Sequence, residues 1–412
     1  MRNVIEFNAL DARFQKNPYP TYEMLHASNS ILMDPALNAY FFGHYKDVSH
    51  ILRSPDFTTA PLAERAQPVM GDRVLAQMEG NEHYSKRRAL LQALTGKLFR
   101  DRYAGIIEQV TDRLLLKTRH TGQIDLINDF GKDYSVLVTL NVLGLPSDRY
   151  KDVAKWHQGI AAFVTDLAMT PDQRKSSLHC SKELINYLTP IVEAKKTKND
   201  DSIIARLCHS KHDGQYMKVS EVVALILNII LAASEPADKT LAYLFNHLLD
   251  RPGNYEAVKH DRRLLIPAIQ ETLRLTPPVQ LIPRQAETEV QIAGRHLCKG
   301  AMVFCMIGAA NRDPSIYDNP TTFILDRSLR PDHCPGRAAT AHPLSFGAGM
   351  HTCVGAGFAL LQIELTANLI IDRLKQLRLA AGFSLQEDGL YTRGPSSLAL
   401  EFIPSHSEKK II

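Results

Sequence analysis

One cysteine constrains this chain more than any other feature. Cys353 lies in the segment Phe346-Gly347-Ala348-Gly349-Met350-His351-Thr352-Cys353-Val354-Gly355-Ala356-Gly357, a glycine-rich turn that runs into a helical pattern from Phe358 through Leu377. Gly347 and Gly349 open backbone conformations closed to residues with a Cβ, and they let the chain approach a flat ligand closely. Gly355 and Gly357 leave room on the next helix for a bulky planar group. A sulfur placed here meets a helix N-terminus, whose amides and partial positive charge stabilise a thiolate. A lone cysteine is more often a buried structural residue. Small residues fixed on both sides of this one argue for a ligand.

A thiolate presented in this way suits an axial ligand to haem iron, where it favours O–O cleavage. The pattern Phe346-x-x-Gly349-x-x-x-Cys353-x-Gly355 resembles the cysteine loop of the cytochrome P-450 superfamily. That resemblance implies a mainly α fold, a helix-rich triangular prism with small β-sheets around a buried haem b. Residues 1–412 are read as one such domain, with Cys353 as the metal ligand and Phe346 among the cofactor contacts.

Bulk properties agree with this reading. Net charge is only +4 over 412 residues, which excludes the electrostatic footprint of a nucleic-acid binder. The cysteines Cys180, Cys208, Cys298, Cys305, Cys334 and Cys353 form no Cys-x-x-Cys pair, and a chain of this size needs no disulfide staples, so a reducing compartment is expected. Met1 through Phe7 contains neither a signal-peptide core nor the apolar run of about 20 residues that an anchor requires. The expectation is a soluble cytoplasmic protein with no membrane partner.

Along the chain, 31–43 reads as a hairpin interrupted at Asp34-Pro35 and 45–54 as a short helix. The stretch 55–79 reads as irregular, punctuated by Pro55, Pro61, Pro68 and Gly71. Helical periodicity returns over His83–Leu94 and dominates 101–250, with breaks at Gly144-Leu145-Pro146, 195–201 and 212–214. Short strands are expected in 285–307 and 383–402.

Glu271-Thr272-Leu273-Arg274 places an acid and a base on one helix face. Such a pair is usually solvated. Here it precedes Phe323-x-x-x-Arg327, and the family resemblance implies a buried network of Glu271, Arg274 and Arg327 that seats the haem-binding loop. The same resemblance assigns His83, Arg87, Arg284 and His351 to the haem propionates, which arginine forks fit well.

On the distal side the chain departs from the family. Relatives carry Ala-Gly-x-acid-Thr, the Thr hydroxyl helping proton delivery; this chain has Ala232-Ala233-Ser234-Glu235-Pro236. Proline removes a backbone donor and clashes with the carbonyl four residues earlier, so a kink is expected with the Ala232 carbonyl freed. Ser234, Glu235 and Pro236 are therefore the catalytic candidates, with protons arriving through Glu235, Ser234, water or the substrate.

The strings 232–240, 277–285, 303–314 and 389–395 resemble the bacterial cyclodipeptide-oxidising branch of the family. They imply an apolar diketopiperazine substrate, cyclo(L-leucyl-L-leucyl), taken to pulcherriminic acid. Leu62, Arg65, Val69, Ala233, Pro236, Val279, Ile282, Arg393 and Pro395 are the expected pocket residues. Electrons are expected from a ferredoxin or flavodoxin with its reductase, docking on a basic face of Lys86, Arg88, Lys97, Arg100 and Arg102. Two other readings are a peroxide-driven peroxygenase and a non-enzymatic haem sensor. Glu235 would repel the carboxylate substrate of the first, and turnover driven by NADPH separates all three.

Overall fold

Buried aliphatic and aromatic residues on 30–34 and 39–42 pair antiparallel, Leu32 opposite Phe41 and Met33 opposite Tyr40, forming the expected hairpin. Asp34 makes its turn: the buried carboxylate accepts amide protons from Ala36 at 2.9 Å and Leu37 at 3.1 Å, and a third from Ala9 at 2.7 Å. In the computed structural model, which describes residues 2–94, 99–198, 200, 202–212, 214–329 and 342–404, this hairpin lies inside a six-stranded sheet. The strand order is 3–6, 30–34, 39–42, 302–306, 281–286 and 57–58. The late strand Met302–Met306 enters between early and late elements, running parallel to 39–42 and antiparallel to 281–286.

Helices make up most of the rest. The stretch read as irregular contains a helix, Ala60–Met70. Pro61 sits in its first turn, where a missing N–H breaks no helical bond, and Gly71 ends it at φ 74°. Pro68 lies inside the helix while Ala66, Val69 and Met70 are buried, so packing overrides propensity here. Phe99–Thr118 is helical as expected, but a strand Gln123–Asp125 and a π-helical turn Leu126–Gly131 follow it before Lys132–Leu143. That strand pairs with Ala399–Glu401, completing a three-stranded sheet with Lys375–Leu379. Gly144 caps Lys132–Leu143 in the left-handed conformation, at one of the expected breaks.

A long apolar rod crosses the middle of the protein as two helices, Val219–Ser234 and Pro236–Asp250. By length and mean hydropathy (1.6) Val219–Asp250 would pass for a membrane-crossing segment. Its residues Val222 to Leu227 are buried, and it packs against Lys132–Leu143 and Pro171–Lys196 as a core element.

Candidate active site

The cysteine loop is built from two short turns, Leu344–Phe346 and Gly349–His351, followed by the helix Ala356–Arg373. Gly347 and Gly349 adopt φ 70° and 73°. At Gly349 glycine is also a steric requirement, because a Cβ would lie 2.6 Å from the Leu52 carbonyl oxygen and 2.9 Å from Arg53 Cα. The Cys353 amide donates to the Phe346 carbonyl at 2.8 Å, closing the loop. The side chain of Cys353 is accessible, while that of Phe346 is half-buried against the core. Surrounding protein pushes the thiol pKa up; the amides of Gly355 and Ala356 and the charge of Arg87 pull the other way. Outside its own helix backbone and chain neighbours, no atom of the described residues lies within 4 Å of where a Cβ on Gly357 would be, which leaves room for a planar group.

Positive and neutral nitrogen groups converge beside this loop. The rings of His83 and His351 lie 4.6 Å apart between centroids. Burial and then the charges of His83, Arg284 and Arg87 push His351 down to about 4, and burial with Arg87 lowers His83. The His83 Nε2 is buried without a hydrogen-bond partner among the described residues. Neither Arg87 nor Arg284 forms an ion pair with a described carboxylate, and among the described residues the buried Arg284 donates only to its neighbour's carbonyl, Pro283, at 2.9 Å. One buried and one half-buried cation with two imidazoles, none paired with a described carboxylate, suit a dianion. The propionates of haem fit that donor set, with Cys353 positioned to bind the iron.

Beneath the loop, Glu271 accepts from Arg274 at 2.7 and 2.8 Å and from Arg327 Nε at 3.0 Å. The remaining donors of both arginines reach the carbonyls of Asn311, Asp318, Asn319, Pro320 and Thr322. Asn311, whose part sequence reasoning missed, carries this rigidity to the loop: its side chain accepts from the Leu344 amide at 2.8 Å and donates to Ser345 Oγ at 2.9 Å. Ser345 in turn donates to the Leu273 carbonyl at 2.6 Å, on the Glu271 helix. Asn311 opens the string Asn311-Arg312-Asp313-Pro314, a signal that carried no role on its own.

The expected kink is a full interruption: one helix ends at Ser234 and the next starts at Pro236, with Glu235 between them. His157 Nε2 donates to the Leu231 carbonyl at 3.4 Å, meeting part of the lost helical bonding. Ile229, Ala232, Ala233 and Pro236 form a partly exposed stripe, whereas Ser234 and Asp238 are buried on the opposite face. Glu235 pairs with Lys239 and accepts from Thr392 Oγ1 at 3.1 Å. Burial raises its pKa, but Lys239, His157 and Thr392 together leave it lowered, so it stands as a held carboxylate.

The expected pocket residues separate into two groups. Leu62, Ala233, Val279 and Ile282 are partly exposed, and Ile282 lies against the cysteine loop, 3.9 Å from a Cβ built at Gly347. Arg65 is engaged: its guanidinium donates to the carbonyls of Val164 and Asp166 at the end of the helix Tyr150–Thr165. Val69 is completely buried in the main core, so it lines no open space. Arg393 is only 1% exposed and binds the carbonyls of Gln15 at 2.7 Å and Lys16 at 2.6 Å, which makes it a clamp on the N-terminal segment instead of a substrate contact. Pro395 is buried beside Glu235 and Lys239, on the wall of a separate cleft of mixed lining.

Comparisons with known proteins agree with this geometry. The family model for cytochrome P-450 matches residues 31–378. The chain is 42% identical to pulcherriminic acid synthase of Bacillus subtilis (strain 168), over 96% of this chain and 98% of that one. It is 23% identical to the biotin biosynthesis cytochrome P-450 of the same organism, over 91% and 94% of the two chains. Among solved structures, CalO2 superposes with a TM-score of 0.85 at 23% identity, covering 97% of this chain and 99% of that one. The chain belongs to the cytochrome P-450 superfamily and is a monooxygenase whose cofactor is haem b.

Proposed function

We propose that the protein oxidises a cyclodipeptide, cyclo(L-leucyl-L-leucyl), to pulcherriminic acid in the cytoplasm. It would use dioxygen and electrons from a ferredoxin or flavodoxin with its reductase. The observation that carries this reading is the exposed distal stripe. Ile229, Ala232, Ala233 and Pro236 offer a compact apolar wall without the usual hydroxyl, as an uncharged ring with aliphatic arms would need. The 42% identity to pulcherriminic acid synthase supports the same substrate.

Bound haem supplies the redox chemistry that splits dioxygen. Cys353 would hold the iron, with its negative sulfur supported by the Gly355 and Ala356 amides. Arg87, Arg284, His83 and His351 would hold the propionates. A fatty-acid peroxygenase needs a free cation to receive a carboxylate. Arg65 and Arg393 are both engaged with backbone carbonyls and Lys239 with Glu235, which disfavours that reading.

The docking face for the electron donor needs redrawing. Lys86 is buried and paired with Glu82 at 2.9 Å and Glu221 at 2.7 Å, and Arg100 pairs with Glu364 at 3.0 Å. Lys97 lies outside the described residues. Arg88 is exposed, with the exposed side chains of Tyr84 and Met350 beside His83 and His351 in the sequence, and Arg102 is exposed but engaged within the chain.

The test is a panel of cyclodipeptides titrated into holoenzyme, followed by product analysis with NADPH, ferredoxin and reductase. Cyclo-dileucine should shift the Soret band and give pulcherriminic acid, and the reduced carbon monoxide complex should lose its long-wavelength band in Cys353→Ala. Turnover with hydrogen peroxide alone would favour a peroxygenase. No shift with any cyclodipeptide would reject the substrate class.

A further inference from the structure

The helix Tyr45–Arg53 meets the cysteine loop at its last turn, where Leu52 and Arg53 crowd Gly349. At its opposite end His26, His44 and Asp313 come together, three residues that the haem site does not use. One nitrogen of each imidazole and one carboxylate oxygen all lie within 4.8 Å of one another. They belong to three segments: the helix Tyr19–Ala27, the residue before Tyr45–Arg53, and the turn after Ile307–Ala310. Gly43 lets these segments close up, since a Cβ there would lie 2.9 Å from Ala309 Cβ and 3.0 Å from Leu25 Cδ1.

The side chains are already oriented. Asp313 accepts the Ser315 amide on Oδ1 and the Tyr45 amide on Oδ2, each at 2.8 Å, which fixes the carboxylate and leaves further lone pairs. His26 donates from Nε2 to the Gly43 carbonyl at 3.2 Å, the kind of backbone contact that orients a metal-binding imidazole. His44 is the anomaly. It is buried, and its Nε2 has no hydrogen-bond partner among the described residues. Its Nδ1 stands 3.8 Å from Asp313 Oδ2, too far for a hydrogen bond. The Ser30 carbonyl favours a charge on the ring but is too poorly placed to satisfy Nε2. A buried imidazole left unsatisfied in this way carries a desolvation cost that a ligand would offset. Burial above all, and the charge of Arg2, lower the pKa of both rings, so they stand neutral, the form that binds metal. Arg2 is itself paired with Asp47, so with Asp313 the corner keeps one net negative charge.

We infer that His26, His44 and Asp313 form a structural site for a divalent transition metal ion, with zinc the best fit. Two imidazoles and a carboxylate are a zinc donor set, and bonds of about 2.0–2.1 Å in a tetrahedron place donor atoms about 3.3 Å apart. Closing from 4.8 Å asks for a movement of at most about 1.5 Å. His26 is half-buried, so the ion has a path from solvent on that side. Bound there, it ties the N-terminal helix to the segment 311–313, whose Asn311 fastens Leu344 and Ser345 of the cysteine loop. The inference is independent of the substrate.

The test uses haem-loaded protein, stripped with dipicolinate and titrated with zinc chloride against a chromophoric zinc indicator. We expect one zinc per chain at a submicromolar Kd. Zinc K-edge X-ray absorption should show a nitrogen and oxygen shell with two imidazoles and no sulfur. His44→Phe and His26→Gln should each weaken binding by at least about a hundredfold, the upper end of what outer-shell partners alone cost. Zinc should raise the parent's melting temperature and leave those of both variants unmoved. The reduced carbon monoxide band reports that each variant has folded around haem. The inference falls if the parent takes up no zinc at micromolar free concentration, or if either variant binds like the parent. An edge spectrum with sulfur or a single imidazole would also overturn it. Should His44→Phe fail to fold, His26→Gln, at a half-buried position, and the parent's edge spectrum decide.

Discussion

Arg284 and Arg393 are both almost fully buried and differently occupied. Arg393 reaches the carbonyls of Gln15, Lys16 and Gly389 and stacks over Tyr19 at 5.8 Å, whereas Arg284 has its own neighbour's carbonyl and nothing anionic. Buried guanidinium groups are retained only where partners satisfy them, so Arg284 waits for a ligand and Arg393 does not. Replacing Arg284 with Leu should speed haem loss, measured by transfer to apomyoglobin, and leave the apoprotein's melting temperature nearly unchanged. Arg393→Leu should do the reverse and lower the melting temperature, since an unpaired network of this kind costs about 3–5 kcal/mol when broken. The sequence position of Arg393, beside Gly394 and Pro395, made it look like a pocket residue. Its partners lie 377 and 378 residues away, a separation that no local pattern reveals. Glu271, Arg274 and Arg327 were readable through the family resemblance, since the spacing of the first two alone describes an ordinary solvated pair.

At the scale of elements, the glycines of the cysteine loop were legible and the helix Ala60–Met70 was not. Gly349 must be glycine for two reasons visible in one turn, a φ of 73° and the nearby Leu52 carbonyl. Gly349→Ala should therefore cost on the order of 1–3 kcal/mol and reduce the haem content of purified protein, read from the ratio of Soret to protein absorbance. In the missed helix, Pro61 and Pro68 speak against helix locally, while burial of Ala66, Val69 and Met70 decides for it. The strand Gln123–Asp125 was missed because its pairing partner is Ala399–Glu401. Pro236 was read correctly as a breaker. Pro236→Thr should rejoin the two halves of the distal helix and return the Ala232 carbonyl to a helical bond. We expect weaker cyclo-dileucine binding by Soret titration and more peroxide per product. Tighter coupling with unchanged binding would make the proline a structural bend only.

For the whole molecule, charge decides two outcomes. If the donor docks near the cysteine loop, reversing Arg88 to Glu should slow reduction by a ferredoxin at low salt and flatten its salt dependence, measured by stopped flow. Reversing the buried Lys86 should instead damage folding, because it bridges Glu82 and Glu221. Stability should also depend on pH through Asp238. Its folded pKa of about 7 lies above that of an unfolded aspartate, near 3.9. The stabilisation is therefore complete below about pH 4 and is lost as pH rises through about 7. Above that range Asp238→Asn should melt higher than the parent, by an amount reflecting a few kcal/mol.

The clamp between Arg393 and the backbone of Gln15 and Lys16 has a consequence in time. A ribosome adding roughly 5–20 residues per second delivers those two carbonyls first and the guanidinium that fastens them only after a further 378 residues. The helix Ala12–Lys16 thus spends roughly 20–75 s of synthesis without its anchor. Cys353 emerges shortly before Arg393, so the cofactor ligand and the latch on the N-terminal segment become available close together in synthesis. A nascent chain stalled before residue 393 should leave its first helix open to protease, and one released beyond it should not.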